Sequence, residues 1–194
     1  ALRQLGFMLD EGRGQDILRE LFLAEDKELQ EEALLLLPSL DEEYRMPFIL
    51  LGMDNQDPEY RLESLSQLRD TVEIDVSPAF MKALADPDVE VQEELADLYF
   101  YFSDKPIYEA AMEGIQHENE EVREEAFSYL EDTHTFNSVK ALVQLLQNED
   151  FGARAGDALR FITDAEIDGN DYDEWKAWLN TQGPAWAREH ADSD

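Results

Sequence analysis

The sequence predicts an all-α fold, and more specifically an α-solenoid (superhelix) built from HEAT-like helical hairpins of 31 residues each. Two observations predict it. Helical apolar spacing follows each of five potential helix caps, and the caps themselves recur at a constant interval of 31 residues. The five cap positions are Asp26, Asp57, Asp88, Asn119 and Asp150. Repeats of this length are typical of stacks in which each unit buries its apolar face against its neighbours.

The first helix of each repeat is predicted from its cap and its apolar stripe. In the repeat 88–118, the Asp88 carboxylate can accept from the open amides of the first turn, and Glu90 lies at the positive end of the helix dipole. The stripe that follows has a period of 3.6 residues and consists of Val91, Leu95, Leu98, Tyr99 and Phe102. The corresponding column through the chain is Leu37, Leu68, Tyr99, Leu130 and Phe161, which predicts one buried position in every repeat.

A turn and a second helix complete each hairpin. In the same repeat, Pro106 ends the first helix, and Tyr108, Met112 and Ile115 are spaced to form the inner side of a second helix. The apolar run 33–37 of an earlier repeat is also assigned to a core helix, because it is far too short to span a membrane.

The repeats predict one elongated domain over residues 1–194, because a solenoid has no internal linker. The division is a partial repeat 1–25, the repeats 26–56, 57–87, 88–118 and 119–149, and a last helix with a C-terminal cap over 150–194. Trp175 and Trp178 lie three residues apart and would cover the last core face. Leu2, Leu5 and Leu9 match the register of a first helix, so we interpret the chain as a trimmed or processed form.

Two segments resemble HEAT-like repeats of the kind known from phycobilin lyases and from many bacterial scaffold proteins. They are residues 86–95, Asp-Pro-Asp-Val-Glu-Val-Gln-Glu-Glu-Leu, and residues 120–126, Glu-Glu-Val-Arg-Glu-Glu-Ala. Both are similar to the acidic turn of that family, followed in the second case by Val-Arg and a small residue. The resemblance covers roughly residues 15–180. It implies the fold and says little about function, because such repeats serve many unrelated tasks.

The charge of the chain is extreme. Fifteen Lys and Arg residues face 47 Asp and Glu residues, which gives a net charge of −32. An acidic face is predicted on the first helices from two columns, Glu28, Glu59, Glu90 and Glu121 with Glu32, Glu63, Glu94 and Glu125. Three interpretations stay open: a solvated outer face, a docking surface for a basic protein, or mimicry of nucleic acid by an inhibitor. Direct binding of nucleic acid is excluded, because it needs a basic stripe.

The second helices are expected to line a concave inner groove, where exposed positions vary between repeats. This variation is what a recognition surface would show, although unconstrained solvent positions vary in the same way. The candidate protein-binding residues are Pro47, Pro78, Glu109 and Lys140 in one column, Leu51, Lys82, Glu113 and Gln144 in the next, with Tyr44 and Tyr108 as aromatic anchors.

No pattern in the sequence indicates catalysis, so we predict no enzyme, no cofactor and no metal. The chain has no cysteine and three histidines, none of them spaced as metal ligands. His117-Glu118 is interpreted as a surface pair of a turn. The segment that begins at Asp164 starts like a calcium loop, but Trp175 stands where the bidentate glutamate belongs, which favours a plain acidic loop.

These patterns lead to one prediction of function and one alternative from another class. The chain is predicted to be a non-catalytic protein-binding scaffold or adaptor whose partner is a protein with a basic patch. The alternative is an acidic inhibitor or immunity protein that neutralises a cationic toxin or nuclease. No segment is predicted to span a membrane. The compartment is unknown: a soluble, cytoplasmic protein is the default, and an exported form is an open alternative.

Overall fold

The computed structural model describes residues 12–71, 73–167 and 170–190, and these residues are all-helical, with no strand among them. Twelve α-helices occur in this part of the chain. They are α1 Gly12–Phe22, α2 Lys27–Leu36, α3 Arg45–Gly52, α4 Pro58–Ser66, α5 Ser77–Leu84, α6 Val89–Tyr101, α7 Tyr108–Gly114, α8 Glu120–Asp132, α9 Phe136–Leu145, α10 Gly152–Thr163, α11 Tyr172–Thr181 and α12 Gly183–Glu189. Short 3-10 helices lie at Leu37–Ser39, Glu42–Tyr44 and Gln67–Asp70. The chain forms two compact units, 1–98 and 99–194.

Four of the five predicted caps are confirmed. The side chains of Asp26, Asp57, Asp88 and Asn119 each accept a hydrogen bond from the backbone N–H two residues later, over 3.0–3.1 Å. The fifth prediction is wrong. Helix α10 starts at Gly152 after Phe151, which makes no side-chain cap.

The apolar stripe of α6 is confirmed, since all five of its predicted residues are buried. The column that begins at Leu37 is buried in its first four members, but its last member, Phe161, is 80% exposed. The reason is that the last repeat is one residue shorter. Thr133 and Thr163 are 30 residues apart, and the hydroxyl of each donates to the carbonyl four residues earlier, at 2.6 and 2.7 Å. A shift of one residue turns a helix by about 100°, which moves Phe161 to the surface and Leu159 into the core.

The turns between repeats follow a register of their own. Asn55, Asp86, His117 and Asn148 lie 31 residues apart, and the side chain of each accepts from the backbone N–H two residues later, over 2.9–3.1 Å. A second column, Gln30, Arg61, Gln92 and Arg123, donates to the carbonyl six residues earlier, over 2.8–3.1 Å. His117 therefore has a structural role in its turn, through its Nδ1 atom.

In the N-terminal unit, helices pack on their neighbours and also on the second helix along the chain. The first kind of contact joins α1 to α2 and α3 to α4, and the second joins α1 to α3, α2 to α4 and α3 to α5. Phe22 stands at the centre, with ring centroids 5.5 Å from Phe48 and 6.1 Å from Tyr60. Gly52 allows α3 to approach α4, because a Cβ atom there would lie 2.1 Å from the Ser64 Oγ atom.

The C-terminal unit repeats this pattern of contacts and ends in a tryptophan cluster. Its contacts join α7 to α8 and α9, α9 to α8, α10 and α11, and α11 to α12. Trp175 and Trp178 are buried, as predicted, with ring centroids 5.9 Å apart. Trp186 of α12 extends the cluster, since its ring lies 6.4 Å from that of Trp178.

Candidate protein-binding surfaces

The inner positions of the N-terminal unit lie on two helices that contact each other, α3 and α5. Pro47 and Pro78 are exposed, and Leu51 is partly buried. Lys82 is partly buried as well, and its Nζ atom forms an ion pair with a carboxylate oxygen of Asp54. Tyr44 precedes α3 in a 3-10 helix and is exposed. These side chains have the exposure that a recognition surface needs, and their role stays a prediction.

The inner positions of the C-terminal unit lie on α7 and α9. Glu109, Glu113, Lys140 and Gln144 are all exposed. Tyr108 is half-buried, because its ring lies 5.9 Å from that of Tyr129 and its hydroxyl shares a 2.8 Å hydrogen bond with the Thr135 hydroxyl. Thr135 is the N-cap of α9. Tyr108 therefore fixes α7 to the start of α9 with the same hydroxyl that an anchor would offer to a partner.

The acidic columns are at the surface, and cations interrupt them. Glu28, Glu32, Glu59, Glu63, Glu90 and Glu121 are exposed, while Glu94 and Glu125 are partly buried. In the N-terminal unit, Lys27 reaches from α2 to Asp57 and Glu59 at 3.1 and 3.2 Å. Arg69 likewise reaches Glu94 of α6 at 3.0 Å. The columns are thus bridged between successive first helices, which reduces the like-charge repulsion expected from the sequence.

These bridges also shift the pKa values of their members. The hydrogen bond from Lys27 lowers the pKa of the Asp57 carboxyl, and the hydrogen bonds to Asp57 and then to Glu59 raise the pKa of the Lys27 ammonium. In the C-terminal unit, Arg154 of α10 holds Glu124 at 2.7 Å and Glu131 at 2.8 Å. The charged form of each group is favoured by its partner.

An open groove lies between α2 and α4, and we call it the α2–α4 groove. It encloses about 440 Å³ and is lined on its apolar side by Leu35 and Leu62 and on its charged side by Lys27, Glu31, Glu59 and Glu63. Leu35 is 76% exposed, an unusual state for a large apolar side chain in a helix of this protein. The groove therefore combines an apolar centre with a rim that is mostly acidic.

The repeat register explains why this groove is open. Arg69, which bridges α4 and α6, stands 31 residues after Pro38, and proline cannot form the equivalent bridge between α2 and α4. Lys27 joins the two helices only at the N-terminal end of α2. The C-terminal half of α2 is left without an ionic bridge, so that Leu35 faces solvent.

Sequence reasoning missed Leu35, because the run 33–37 was assigned to the core as a whole. That assignment is wrong at this one position: Ala33, Leu34 and Leu37 are buried, and Leu35 points outward. The signal was available in the helical period. Five consecutive residues cover more than one full turn of 3.6 residues, so at least one of them must face away from the core.

The described residues show no arrangement for metal chemistry, since they contain no group of three or more His, Asp or Glu side chains placed to hold an ion. In the calcium-like segment, Asp168 and Gly169 lie outside the described residues. Asp164 ends α10 in the left-handed conformation, with φ 52°, and its N–H donates to the Arg160 carbonyl at 3.1 Å. The helices in the described part of the chain are all too short or too polar to cross a bilayer.

Comparison with known proteins leaves these surfaces to be interpreted from their own chemistry, because no protein-family model and no curated protein matches the chain.

Proposed function

We propose that this protein is a non-catalytic adaptor of the HEAT-like repeat type, which docks a partner with a basic surface through the α2–α4 groove. The observation that carries the proposal is the exposure of Leu35 inside a rim that contains Glu31, Glu59 and Glu63. Interfaces commonly place an apolar anchor at the centre and charged residues at the rim.

The HEAT-like part of the proposal is supported by the helix contacts within each unit. Caps, turn acceptors and turn donors recur every 31 residues, and each unit joins a helix to its second neighbour as well as to its first. A stack of helical hairpins forms such contacts, and its repeats together would make an α-solenoid.

The two components of the groove would contribute differently to binding. Complete burial of a leucine side chain is worth about 1.5–3 kcal/mol, and this gain slows dissociation. The carboxylates at the rim, in a chain of net charge −32, would attract a basic partner and raise the association rate at low ionic strength. The occupant that fits best is an amphipathic segment with one large apolar side chain flanked by Lys or Arg.

The test is capture of the partner from the source organism, followed by binding kinetics of two sets of variants. Leu35→Ser should mainly speed dissociation, and Glu31→Gln with Glu59→Gln and Glu63→Gln should mainly slow association, with a loss of salt dependence. The matched controls are Tyr108→Phe and Lys82→Gln at the inner positions. If the controls reduce binding and the groove variants do not, recognition occurs at the inner helices and the proposal is wrong.

The same experiment separates the adaptor from the acidic inhibitor. An inhibitor would use the exposed glutamates of the first helices in place of phosphates, so binding would depend on Glu28, Glu90 and Glu121 as much as on the groove. Leu35→Ser would then leave the affinity unchanged, and a toxin or nuclease would be recovered as the partner.

A further inference from the structure

A second groove, between α9 and α11 in the C-terminal unit, has the opposite charge to the rest of the protein. It encloses about 480 Å³, which is within the range of ligand sites. Lys140 and Lys176 lie in its wall, and none of its lining side chains is a carboxylate. The chain has 47 Asp and Glu residues and only five lysines, so a wall with two lysines and no acid differs sharply from the average surface.

The two lysines also differ from the other three in their partners. Lys27, Lys82 and Lys105 each lie within 4.0 Å of a carboxylate oxygen. Within the described part of the chain, neither Lys140 nor Lys176 forms such a pair; Lys140 donates only to the Asn137 side-chain oxygen, at 3.3 Å. In a chain of this acidity, the two ammonium groups of the groove are available to an external anion.

The same local device holds each lysine in place. The Lys140 Nζ atom lies 4.4 Å from the centre of the Phe136 ring, and the Lys176 Nζ atom lies 5.4 Å from the centre of the Tyr172 ring. Both pairs are four residues apart on a helix, so that the aromatic residue and the lysine share one face. A ring face attracts a cation without neutralising its charge, which orients the ammonium groups and leaves them able to bind an anion.

The remaining wall of the groove favours a peptide over a simple ion. Gln144 and Asn180 add amide donors, and their carbonyl oxygens can accept from a peptide backbone. Val143 and Leu179 supply apolar surface, which a small inorganic anion could not use. We propose that the α9–α11 groove binds an acidic peptide segment of a partner protein, with carboxylates on Lys140 and Lys176 and an apolar side chain between them.

This site is independent of the α2–α4 groove, because its residues, its charge and its ligand class are all different. The probe is a fluorescein-labelled, C-terminally amidated peptide Glu-Leu-Glu-Glu-Phe-Glu, and its binding is followed by fluorescence anisotropy. A peptide with Gln in place of every Glu is the uncharged control. The acidic peptide should bind, and its affinity should fall at least about tenfold between about 50 mM and about 500 mM NaCl.

The protein variants decide whether binding occurs in this groove. Lys140→Gln with Lys176→Gln should weaken binding at least about tenfold, while Lys140→Arg with Lys176→Arg should keep most of it, because the charge is retained. Lys82→Gln is the matched control on a lysine that already has a carboxylate partner, and it should change nothing. Circular dichroism of each variant checks that the fold is intact.

Three results would overturn the proposal. The acidic peptide does not bind, or it binds no better than its Gln counterpart, or the Lys140 and Lys176 double variant binds it as well as the parent. A fourth arm tests a second copy of this chain as the occupant. If sedimentation shows a dimer that the double Gln variant abolishes, the groove serves self-association, and the assignment to a partner peptide is wrong.

Discussion

The ion pair between Arg61 and Asp86 offers a direct test of how the turns between repeats are held. Arg61 Nε lies 2.7 Å from Asp86 Oδ2, and the Nη2 atom lies 2.8 Å from Oδ1. The two side chains are only 12% and 6% exposed. The hydrogen bond to Asp86 is the largest cause of a raised pKa at Arg61, so the guanidinium stays charged at any pH in which the protein is folded.

The protein itself contains a neutral version of this pair. One repeat earlier, in the same register, Asn55 Nδ2 donates to Gln30 Oε1 at 3.3 Å. Gln30 also donates to its turn carbonyl, as Arg61 does. A double variant, Arg61→Gln with Asp86→Asn, therefore converts the charged pair into a combination that the fold already accommodates.

The expected magnitudes follow from the burial. Removing one partner of a buried ion pair costs about 3–5 kcal/mol, and we expect about 3 kcal/mol for either single variant because the pair is near the surface. The double variant should cost only about 1 kcal/mol, since no unpaired charge is left. The coupling energy is then about 5 kcal/mol at most and at least about 2 kcal/mol.

Urea unfolding at constant m-value measures these differences. Lys82→Gln is the control, because it breaks an exposed ion pair and should cost less than about 1 kcal/mol. If the double variant loses as much stability as the sum of the two single variants, the pair is not coupled and our account of the turn is incorrect.

Three further predictions concern the C-terminal cluster, the net charge and the buried tyrosines. Trp178→Ala should cost about 3–5 kcal/mol in urea unfolding, because it leaves a cavity beside two other tryptophans, and a loss below about 1 kcal/mol would contradict this packing. The melting temperature should rise between low salt and about 0.5 M NaCl, since ions screen the net repulsion; a flat or falling curve would show that the ionic bridges outweigh it. Burial raises the pKa of Tyr60, Tyr99 and Tyr129, so these groups stay protonated in the folded state where the unfolded chain loses its protons. Stability should thus fall above pH of about 10, by up to about 1.4 kcal/mol per pH unit for each tyrosine, and Tyr99→Phe should reduce the slope.

The repeat could be predicted from the sequence because it is written in residues whose chemistry is local. A carboxylate or amide before an apolar helix caps it wherever it stands, and Asp26 and Asn119 illustrate the same rule. The last repeat could not be read in the same way. Its missing residue is visible only when Thr133 is aligned with Thr163, and the fixed interval of 31 led to Asp150 and Phe161 in place of the residues that the structure uses.

The candidate surfaces were less predictable, because they depend on contacts between repeats. The sequence shows that Glu94 belongs to an acidic column, but only the structure shows that Arg69 neutralises it and that Pro38 cannot do the same one repeat earlier. The exposure of Leu35 follows from that difference. Likewise, Lys140 was a candidate from its column, whereas its proximity to Lys176 arises from the packing of α11 on α9.

The most direct measurement of the central claim is photo-crosslinking from position 35 in cells of the source organism. A photoreactive phenylalanine analogue replaces Leu35, and the control carries it in place of Phe100, an equally exposed side chain on another helix. The account predicts an adduct from position 35 whose crosslinked peptide is rich in Lys and Arg, and which is lost when Glu31, Glu59 and Glu63 are changed to Gln. An adduct of the same yield from position 100, or one that survives the three Gln substitutions, would contradict it.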